Sequence, residues 1–189
     1  IQGVADVERI TQQAGVSLLG YLPKLGLNRE IGATKLRDQR KQRDLCTHLL
    51  PQSAMAERCR SIRTSLSFLL PKNQCSVMLI SSPNTGEGKS SLSINLASSY
   101  CQAGNKVLLI DADMRRPRHH LLFPEPEGKE GLGLSSVLLE SRTLDETIQK
   151  SPKDAPENLS VLTCGEIPEN PAELLDNNQF RRIIAAACK

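Results

Sequence analysis

The sequence predicts an α/β protein with a mostly parallel sheet flanked by helices. One observation is that short apolar runs, which suit buried strands, alternate with longer segments of helical periodicity. Another is a glycine-rich turn that joins one apolar run directly to a helix. The third is composition, because 189 residues with 39% hydrophobic and 24% charged side chains can bury a core of ordinary size. A chain that is disordered throughout is therefore excluded.

The charge and the aromatic content argue against a nucleic-acid partner. Lys and Arg number 24 against 21 Asp and Glu, which leaves a net charge of only +3. So small an excess does not indicate nucleic-acid binding. Aromatic residues make up 3% of the chain and supply few rings on which bases could stack. We therefore expect an aliphatic core and no nucleic-acid partner.

The N-terminal part of the chain contains a predicted helix, a predicted strand and a basic segment. The helix spans Val4 to Gln13, and the apolar run Val16 to Leu22 predicts a short strand that Pro23 ends. The segment Lys35 to Arg43 has five basic residues and one acidic residue. It is interpreted as a solvated linker, with a contact to anionic lipid or to a partner as the alternative.

A helix with a narrow apolar stripe is predicted from Ala54 to Leu69. The stripe recurs at helical spacing and consists of Met55, Cys59, Ile62, Leu66 and Leu69. Three charged residues, Glu57, Arg60 and Arg63, lie outside the stripe and toward the opposite face. Charges on such a face are usually solvated, but a patterned Glu-x-x-Arg-x-x-Arg could instead form an interface.

Two strands and a helix are predicted in the centre of the chain. The apolar runs Ser76 to Ser81 and Val107 to Ile110 predict strands, and a helix is predicted from Lys89 to Ala103 between them. The second run is apolar throughout, which is typical of a strand covered by helices on both faces.

The C-terminal part adds a short helix, a strand and a longer helix. The short helix spans Leu134 to Leu139, and the strand spans Leu159 to Leu162. Asn170 then caps a helix that has Pro171 at its first position and continues to about Ala187. Strands and helices thus alternate along the chain, as a parallel α/β sheet requires.

The glycine-rich turn, Ser81 to Ser90, has the pattern of a phosphate-binding loop. Because it opens a helix, its backbone N–H groups can converge on an anion. Lys89 would reach the β- and γ-phosphates, and Ser90 would offer its hydroxyl to Mg²⁺. Pro83 stands where the strict G-x-x-x-x-G-K-[ST] pattern has its first glycine. The expected nucleotide-binding residues are Asn84, Thr85, Gly86, Glu87, Gly88, Lys89, Ser90 and Ser91.

Two carboxylates, Asp111 and Asp113, follow the apolar run at Val107 to Ile110. Residues two apart at the end of a strand point the same way, into the crevice where α/β proteins bind ligands. One carboxylate can orient a metal-bound water while the other accepts a proton from a nucleophile. An acidic turn with solvated charges is the alternative, and it is common only where Asp-x-Asp occurs alone.

The cysteines and histidines show no metal-binding or disulfide pattern. The six cysteines are scattered, without a Cys-x-x-Cys pair, so all six are interpreted as reduced and mostly packed thiols. The adjacent pair His119 and His120 could contact a metal or a phosphate. A surface or core position without a chemical role is the expected alternative.

Taken together, these motifs resemble the bacterial tyrosine kinases of capsule and exopolysaccharide assembly, a deviant-Walker branch of P-loop ATPases related to the MinD and ParA proteins. The resemblance covers nearly the whole chain. The matching segments are Leu19 to Pro23, the oligomerisation motif from Glu57 to Thr64, the Walker A motif from Gly86 to Ser90, the Walker A′ motif from Asp111 to Pro117, and Gly165 to Leu175.

This resemblance implies that ATP and Mg²⁺ bind and that the γ-phosphoryl group is transferred to tyrosine hydroxyls of proteins. It implies Lys89, Asp111 and Asp113 as catalytic residues, with Asp111 as the base. Ser90 and Asp113 would hold the metal. Since a carboxylate cannot fully ionise a phenol, Asp111 would chiefly position the hydroxyl.

The resemblance also implies partners and a location. Glu57, Arg60 and Arg63 would join copies of the chain into a ring. A transmembrane polysaccharide co-polymerase would be the membrane partner, and residues that resemble the juxtamembrane side of the fused form favour fusion upstream over a separate activator. The protein would then lie in the cytoplasm at the inner face of the plasma membrane. Residues 1–50 would form the juxtamembrane helix, strand and linker, and residues 51–189 the N-terminal part of the kinase domain.

The chain departs from this family's pattern at two places. The family has a Walker B strand after the segment that contains Leu174 and Leu175, and this sequence stops at Lys189 before such a run. It also lacks a C-terminal tyrosine cluster, since Tyr21 and Tyr100 are isolated. Because the sequence begins at Ile1 rather than Met, we interpret it as a piece of a longer protein. Because the Walker B strand and the tyrosine cluster are missing from it, we expect little or no kinase activity from the piece alone.

Two other functions remain open. A division-site or partition ATPase of the MinD and ParA type would have a signature lysine where this chain has Asn84. A nucleotide-binding protein could also control polysaccharide export by ring assembly without phosphorylating anything. Transfer of labelled γ-phosphate to tyrosine distinguishes this last function from a kinase.

Overall fold

The computed structural model describes residues 4–24, 36–71 and 74–188. Its helices are α1 (Val4–Gln13), α2 (Leu36–Asp44), α3 (Cys46–Leu49), α4 (Ala54–Ser67), α5 (Lys89–Gln102), α6 (Leu134–Leu138), α7 (Leu144–Thr147), α8 (Pro171–Leu175) and α9 (Asn178–Ala187), with a 3₁₀ turn at His119–Leu121. Its strands are β1 (Val107–Ile110), β2 (Gln149–Lys150) and β3 (Leu159–Leu162).

The three strands form one sheet in the order β1, β3, β2. β1 and β3 are parallel, with Val107 opposite Leu159 and Ile110 opposite Leu162. The two-residue β2 pairs antiparallel with β3, so the small sheet is mixed. The predicted α/β class with helices flanking the sheet is confirmed, and the antiparallel edge is an addition to it.

Both faces of the sheet are covered, because alternate side chains of a strand point to opposite faces. On one face Leu109, Leu159 and Val161 pack with Ile94 of α5 and Phe123. On the other face the side chains of β1 and β3 pack with residues from α6 and α9. These residues are Leu108, Ile110, Leu162, Leu134, Val137, Leu138 and Ile183. The apolar run of β1 was expected to mark such a doubly covered strand.

The first three residues of the apolar stripe predicted for α4 are buried. Met55, Cys59 and Ile62 are buried, and Met55 and Cys59 pack against Cys46 of α3. Ser53 caps the helix, since its hydroxyl accepts a hydrogen bond from Ala56 N at 3.2 Å. The helix ends at Ser67, and Leu69, the last predicted stripe residue, is 63% exposed.

Asn95 ties α5 to the helices that precede it. Its side chain is fully buried; Oδ1 accepts a hydrogen bond from Thr47 N at 2.7 Å. Its Nδ2 donates to Arg43 O at 3.1 Å and to Ser91 O at 2.8 Å. One amide therefore joins α2, α3 and the first turn of α5.

We expect Asn95→Ala to lower the free energy of unfolding by about 2 kcal/mol, because the buried Thr47 N–H loses its acceptor. Urea denaturation followed by circular dichroism measures the loss. The control is Asn105→Ala, since Asn105 is exposed and its Nδ2 donates only to Tyr100 O. Equal unfolding midpoints for the two variants would contradict this account of Asn95.

Two predicted strands are wrong. Residues 16–24 have no regular secondary structure, although Val16 to Leu22 was predicted as a strand. Residues 76–81 also form no strand, and Val77 and Leu79 are 60% and 89% exposed. An apolar run becomes a strand only beside a hydrogen-bonding neighbour, and neither run pairs with another strand in the described part of the chain.

The basic segment predicted as a linker from Lys35 to Arg43 instead contains helix α2. Lys35 itself lies outside the described residues. Lys41 pairs with Asp154, and Arg43 pairs with the neighbouring Asp44 at 2.7 Å. Partners within the chain thus hold two of the basic side chains that were expected to be solvated.

The long C-terminal helix expected from Pro171 to about Ala187 is two helices, α8 and α9. Asn177 interrupts it, because its side chain accepts a hydrogen bond from Gln179 N at 3.3 Å and caps the second helix. Asn170 precedes α8 as predicted, but its Nδ2 donates to Glu173 Oε2 at 2.6 Å and its side chain accepts no helix N–H.

The expectation of six reduced thiols is wrong for two of them. Cys75 and Cys188 form a disulfide across a sequence separation of 113 residues. Cys46, Cys59, Cys101 and Cys164 are free and buried, as expected. The fold brings the end of α9 beside residue 75, with Cα atoms 5.4 Å apart, and sequence spacing cannot reveal such a pairing.

Candidate functional site

The glycine-rich turn leads into the N-terminus of α5 in a backbone conformation that needs glycine. Gly86 and Gly88 have φ angles of 82° and 92°, in the left-handed region. Gly88 precedes the helix, and the first helical hydrogen bond runs from Leu92 N to Gly88 O at 2.8 Å. The N–H groups of Lys89, Ser90 and Ser91 therefore have no partner within the helix and are available to an anion.

Lys89 holds its ammonium group over the turn. Its Nζ donates to Ser82 Oγ at 3.1 Å and to Asn84 O at 3.4 Å. Both acceptors are neutral oxygens, so phosphate oxygens would be stronger partners for this charge. The Lys89 ammonium group thus lies beside the turn, and its contact with phosphate stays a prediction.

Glu87 stabilises the same turn through hydrogen bonds with Asn84. Its carboxylate accepts hydrogen bonds from Asn84 Nδ2 at 2.9 Å and from Asn84 N at 3.3 Å. The bond from the Asn84 side chain, followed by that from its backbone, holds the pKa of Glu87 below its usual value. Glu87 therefore stays ionised and ties the beginning of the turn to its end.

Ser91 points away from the turn. Its hydroxyl donates to Asp44 Oδ1 of α2, and Asp44 also pairs with Arg43. The backbone N–H of Ser91 remains available to a ligand. This contact connects the first turn of α5 to helix α2, and no sequence pattern indicated it.

Asp111 is buried at the end of β1, only 3% exposed. Its Oδ2 accepts hydrogen bonds from Arg118 N and His119 N, both at 2.9 Å. Its Oδ1 accepts one from Asp113 N at 3.2 Å. The carboxylate therefore organises the loop that follows β1.

His119 lies between Asp111 and α5. It is 5% exposed; its Nδ1 is 2.9 Å from Asp111 Oδ2, and its Nε2 is 3.2 Å from Ser93 Oγ. Burial alone would raise the pKa of Asp111, but the contacts with the His119 ring and with the two backbone N–H groups outweigh it and lower that pKa. His120, its neighbour, is exposed.

Asp113 differs from Asp111 in being exposed. Its Oδ1 accepts a hydrogen bond from Arg116 N at 3.0 Å, which leaves carboxylate lone pairs facing solvent. No cluster of three or more His, Cys, Asp or Glu side chains that could hold a metal ion occurs among the described residues. One carboxylate and one hydroxyl fit Mg²⁺, because that ion takes much of its coordination from phosphates and water.

The three charged residues of α4 differ in their surroundings. Glu57 is exposed. Arg60 donates from Nη1 to Pro51 O at 2.8 Å, and Arg63 donates to Ser99 O and Ser99 Oγ of α5. Contacts within the chain therefore fix the orientation of both arginines.

Known proteins resemble this chain in sequence. The family described as the CobQ/CobB/MinD/ParA nucleotide binding domain matches residues 78–182. Tyrosine-protein kinase YwqD of Bacillus subtilis is 40% identical over 154 residues, which cover 82% of this chain and 62% of that protein. Putative tyrosine-protein kinase CapB of Staphylococcus aureus is 39% identical over 139 residues, covering 74% and 58%. The chain thus spans about six-tenths of the length of these relatives.

Solved structures show the same resemblance. The BceF tyrosine kinase domain superposes with a TM-score of 0.81 at 30% identity, covering 98% of this chain and 72% of that one. The kinase domain of the Escherichia coli tyrosine kinase ETK gives a TM-score of 0.77 at 28% identity, covering 93% and 66%.

Proposed function

This chain belongs to the CobQ/CobB/MinD/ParA nucleotide-binding domain family, among the bacterial tyrosine kinases, and we propose that it binds ATP with Mg²⁺ and serves the transfer of the γ-phosphoryl group to protein tyrosines. The supporting observation is the turn before α5, where the Lys89 ammonium and unpaired helix N–H groups converge. Anion binding at such a turn requires no further side chain.

Different residues would bind the phosphates, the metal ion and the tyrosine hydroxyl. Lys89 and the N–H groups of the first turn of α5 would bind the β- and γ-phosphates. Ser90 and Asp113 would hold Mg²⁺, which neutralises phosphate charge when bound. Asp111 Oδ1 accepts one hydrogen bond within the described residues, and its second lone pair would receive the tyrosine hydroxyl. Because the pKa of Asp111 is lowered, the carboxylate is a weak base and would act chiefly by orienting that hydroxyl.

The decisive experiment measures transfer of labelled γ-phosphate to tyrosine by a version as long as the curated relatives. Phosphotyrosine formation that depends on Lys89 and Asp113 supports a kinase. Nucleotide binding without any transfer would support the alternative, a ring-assembly regulator of polysaccharide export. Asn84 occupies the position of the MinD and ParA signature lysine and hydrogen-bonds Glu87 instead, which argues against that branch.

We further propose that copies of the chain assemble into a ring through α4, with Glu57, Arg60 and Arg63 at the contact. We expect Glu57→Lys to weaken self-association by at least about tenfold, because it places like charges together. Light scattering after size-exclusion chromatography measures this change. The control is Arg58→Ala, since Arg58 instead stacks on the Tyr21 ring at 4.4 Å. Unchanged assembly of Glu57→Lys would reject this surface.

We propose a membrane-bound polysaccharide co-polymerase as the partner, fused upstream, and a location at the cytoplasmic face of the plasma membrane. In the described residues no helix is long and apolar enough to cross a bilayer. In the sequence, helix α2 would then lie between the fused partner and α5. Asp44 of α2 accepts a hydrogen bond from Ser91 of α5. Co-purification with membranes of a version that includes the upstream segment tests this placement.

A further inference from the structure

His119 is a buried polar side chain to which the proposed function assigns no role. His119 is 5% exposed, and its two ring nitrogens differ: Nε2 has a hydrogen-bond partner, whereas Nδ1 is buried and makes no hydrogen bond in the described part of the chain. Nδ1 faces Asp111 Oδ2 at 2.9 Å, and Nε2 faces Ser93 Oγ at 3.2 Å. The ring therefore bridges the loop after β1 and the helix that begins at the phosphate-binding turn.

Ser93 connects His119 to the first turn of α5. The Ser93 hydroxyl donates to Ser90 O at 2.9 Å. Ser93 Oγ also contacts His119 Nε2 at 3.2 Å, and the tautomer of the ring decides which of the two atoms donates. A line of contacts thus runs from the Ser90 carbonyl through Ser93 and His119 to the Asp111 carboxylate.

The line continues to the expected metal ligand. Asp111 Oδ1 accepts the backbone N–H of Asp113 at 3.2 Å, so the orientation of the buried carboxylate fixes the backbone on which the exposed Asp113 carboxylate is carried. Ser90, the other expected metal ligand, stands at the opposite end of the same line. A displacement of His119 would therefore reach both expected ligands.

We propose that His119 is a positioning residue that holds Asp111, and through it Asp113, in register with Ser90 on α5. This inference rests on the proposed function, because it assumes that Ser90 and Asp113 hold the metal of a bound nucleotide. A purely structural histidine would contribute to stability alone, whereas a positioning histidine also sets how much the metal contributes to nucleotide binding.

The test measures the affinity of the chain for a fluorescent ADP analogue with and without Mg²⁺, beside thermal unfolding. We expect His119→Phe to reduce the Mg²⁺-dependent gain in affinity about tenfold and to leave the affinity without Mg²⁺ unchanged. His119→Gln should restore most of the gain, because its amide keeps a polar group beside Asp111. His120→Phe is the matched control, since His120 is exposed, and should behave as the wild type.

The Mg²⁺-dependent gain in nucleotide affinity of the variants tests whether His119 positions Asp111. A full Mg²⁺-dependent gain in a folded His119→Phe chain would overturn the inference and leave the proposed function standing. If that variant does not fold, Ser93→Ala takes its place, because it removes the hydrogen-bond partner of Nε2, and an unchanged gain there has the same meaning. A wild-type chain that binds no nucleotide would overturn the proposed function, and the inference about His119 with it.

Discussion

We expect Lys89→Ala to weaken nucleotide binding by about 100-fold, since charge-assisted hydrogen bonds to phosphate contribute about 1.5–3 kcal/mol each. The wild-type ammonium group rests on Ser82 Oγ and Asn84 O, two neutral acceptors that it can leave without separating an ion pair. The backbone N–H groups of the turn remain in the variant, so a weak residual affinity is expected. Titration with a fluorescent ADP analogue measures the loss.

The matched control for Lys89→Ala is Lys106→Ala, because Lys106 is an exposed lysine just before β1. It removes the same charge from the chain without touching the turn. An equal loss in both variants would mean that net charge, rather than the phosphate-binding turn, attracts the nucleotide. An unchanged affinity of Lys89→Ala would place the nucleotide elsewhere.

Elements that the sequence predicted correctly include an apolar helical stripe and two apolar runs. Helix α4 buries Met55, Cys59 and Ile62 of its apolar stripe, and the apolar runs of β1 and β3 pack in the core. The run at residues 76–81 has an equally apolar pattern but no paired strand in the described part of the chain. Hydrophobic periodicity measures the tendency to be buried, whereas strand formation also depends on a neighbour elsewhere in the sequence.

Residues of the candidate site also differ in how far the sequence alone could predict their positions. Lys89 and the glycines of the turn are local, so their spacing alone predicted the geometry that is observed. The contacts of His119 with Asp111 and Ser93 join residues 8 and 26 positions apart in different elements. An adjacent pair of histidines was noticed, but only the fold determines which of the two is buried. The link between Ser91 and Asp44 is equally non-local.

Asp111→Asn should lower the free energy of unfolding at pH 7 by about 3 kcal/mol, the usual order when one partner of a buried pair is removed. Each carboxylate oxygen accepts at least one backbone N–H, so an amide group in either orientation turns its NH₂ toward a donor. Asp113→Asn is the matched control because Asp113 is exposed, and it should change the stability by less than about 0.5 kcal/mol.

The pH dependence of this difference identifies its cause. The pKa of Asp111 is lowered in the folded protein, so its ionised form stabilises the fold fully above the unfolded value of about 3.9. That contribution is lost as the pH falls through the lower folded value. Urea denaturation of the wild type and of Asp111→Asn should therefore give a constant difference from pH 7 to about pH 5 that shrinks below about pH 4. A difference that stays constant down to pH 3 would show that the variant loses packing rather than a buried charge.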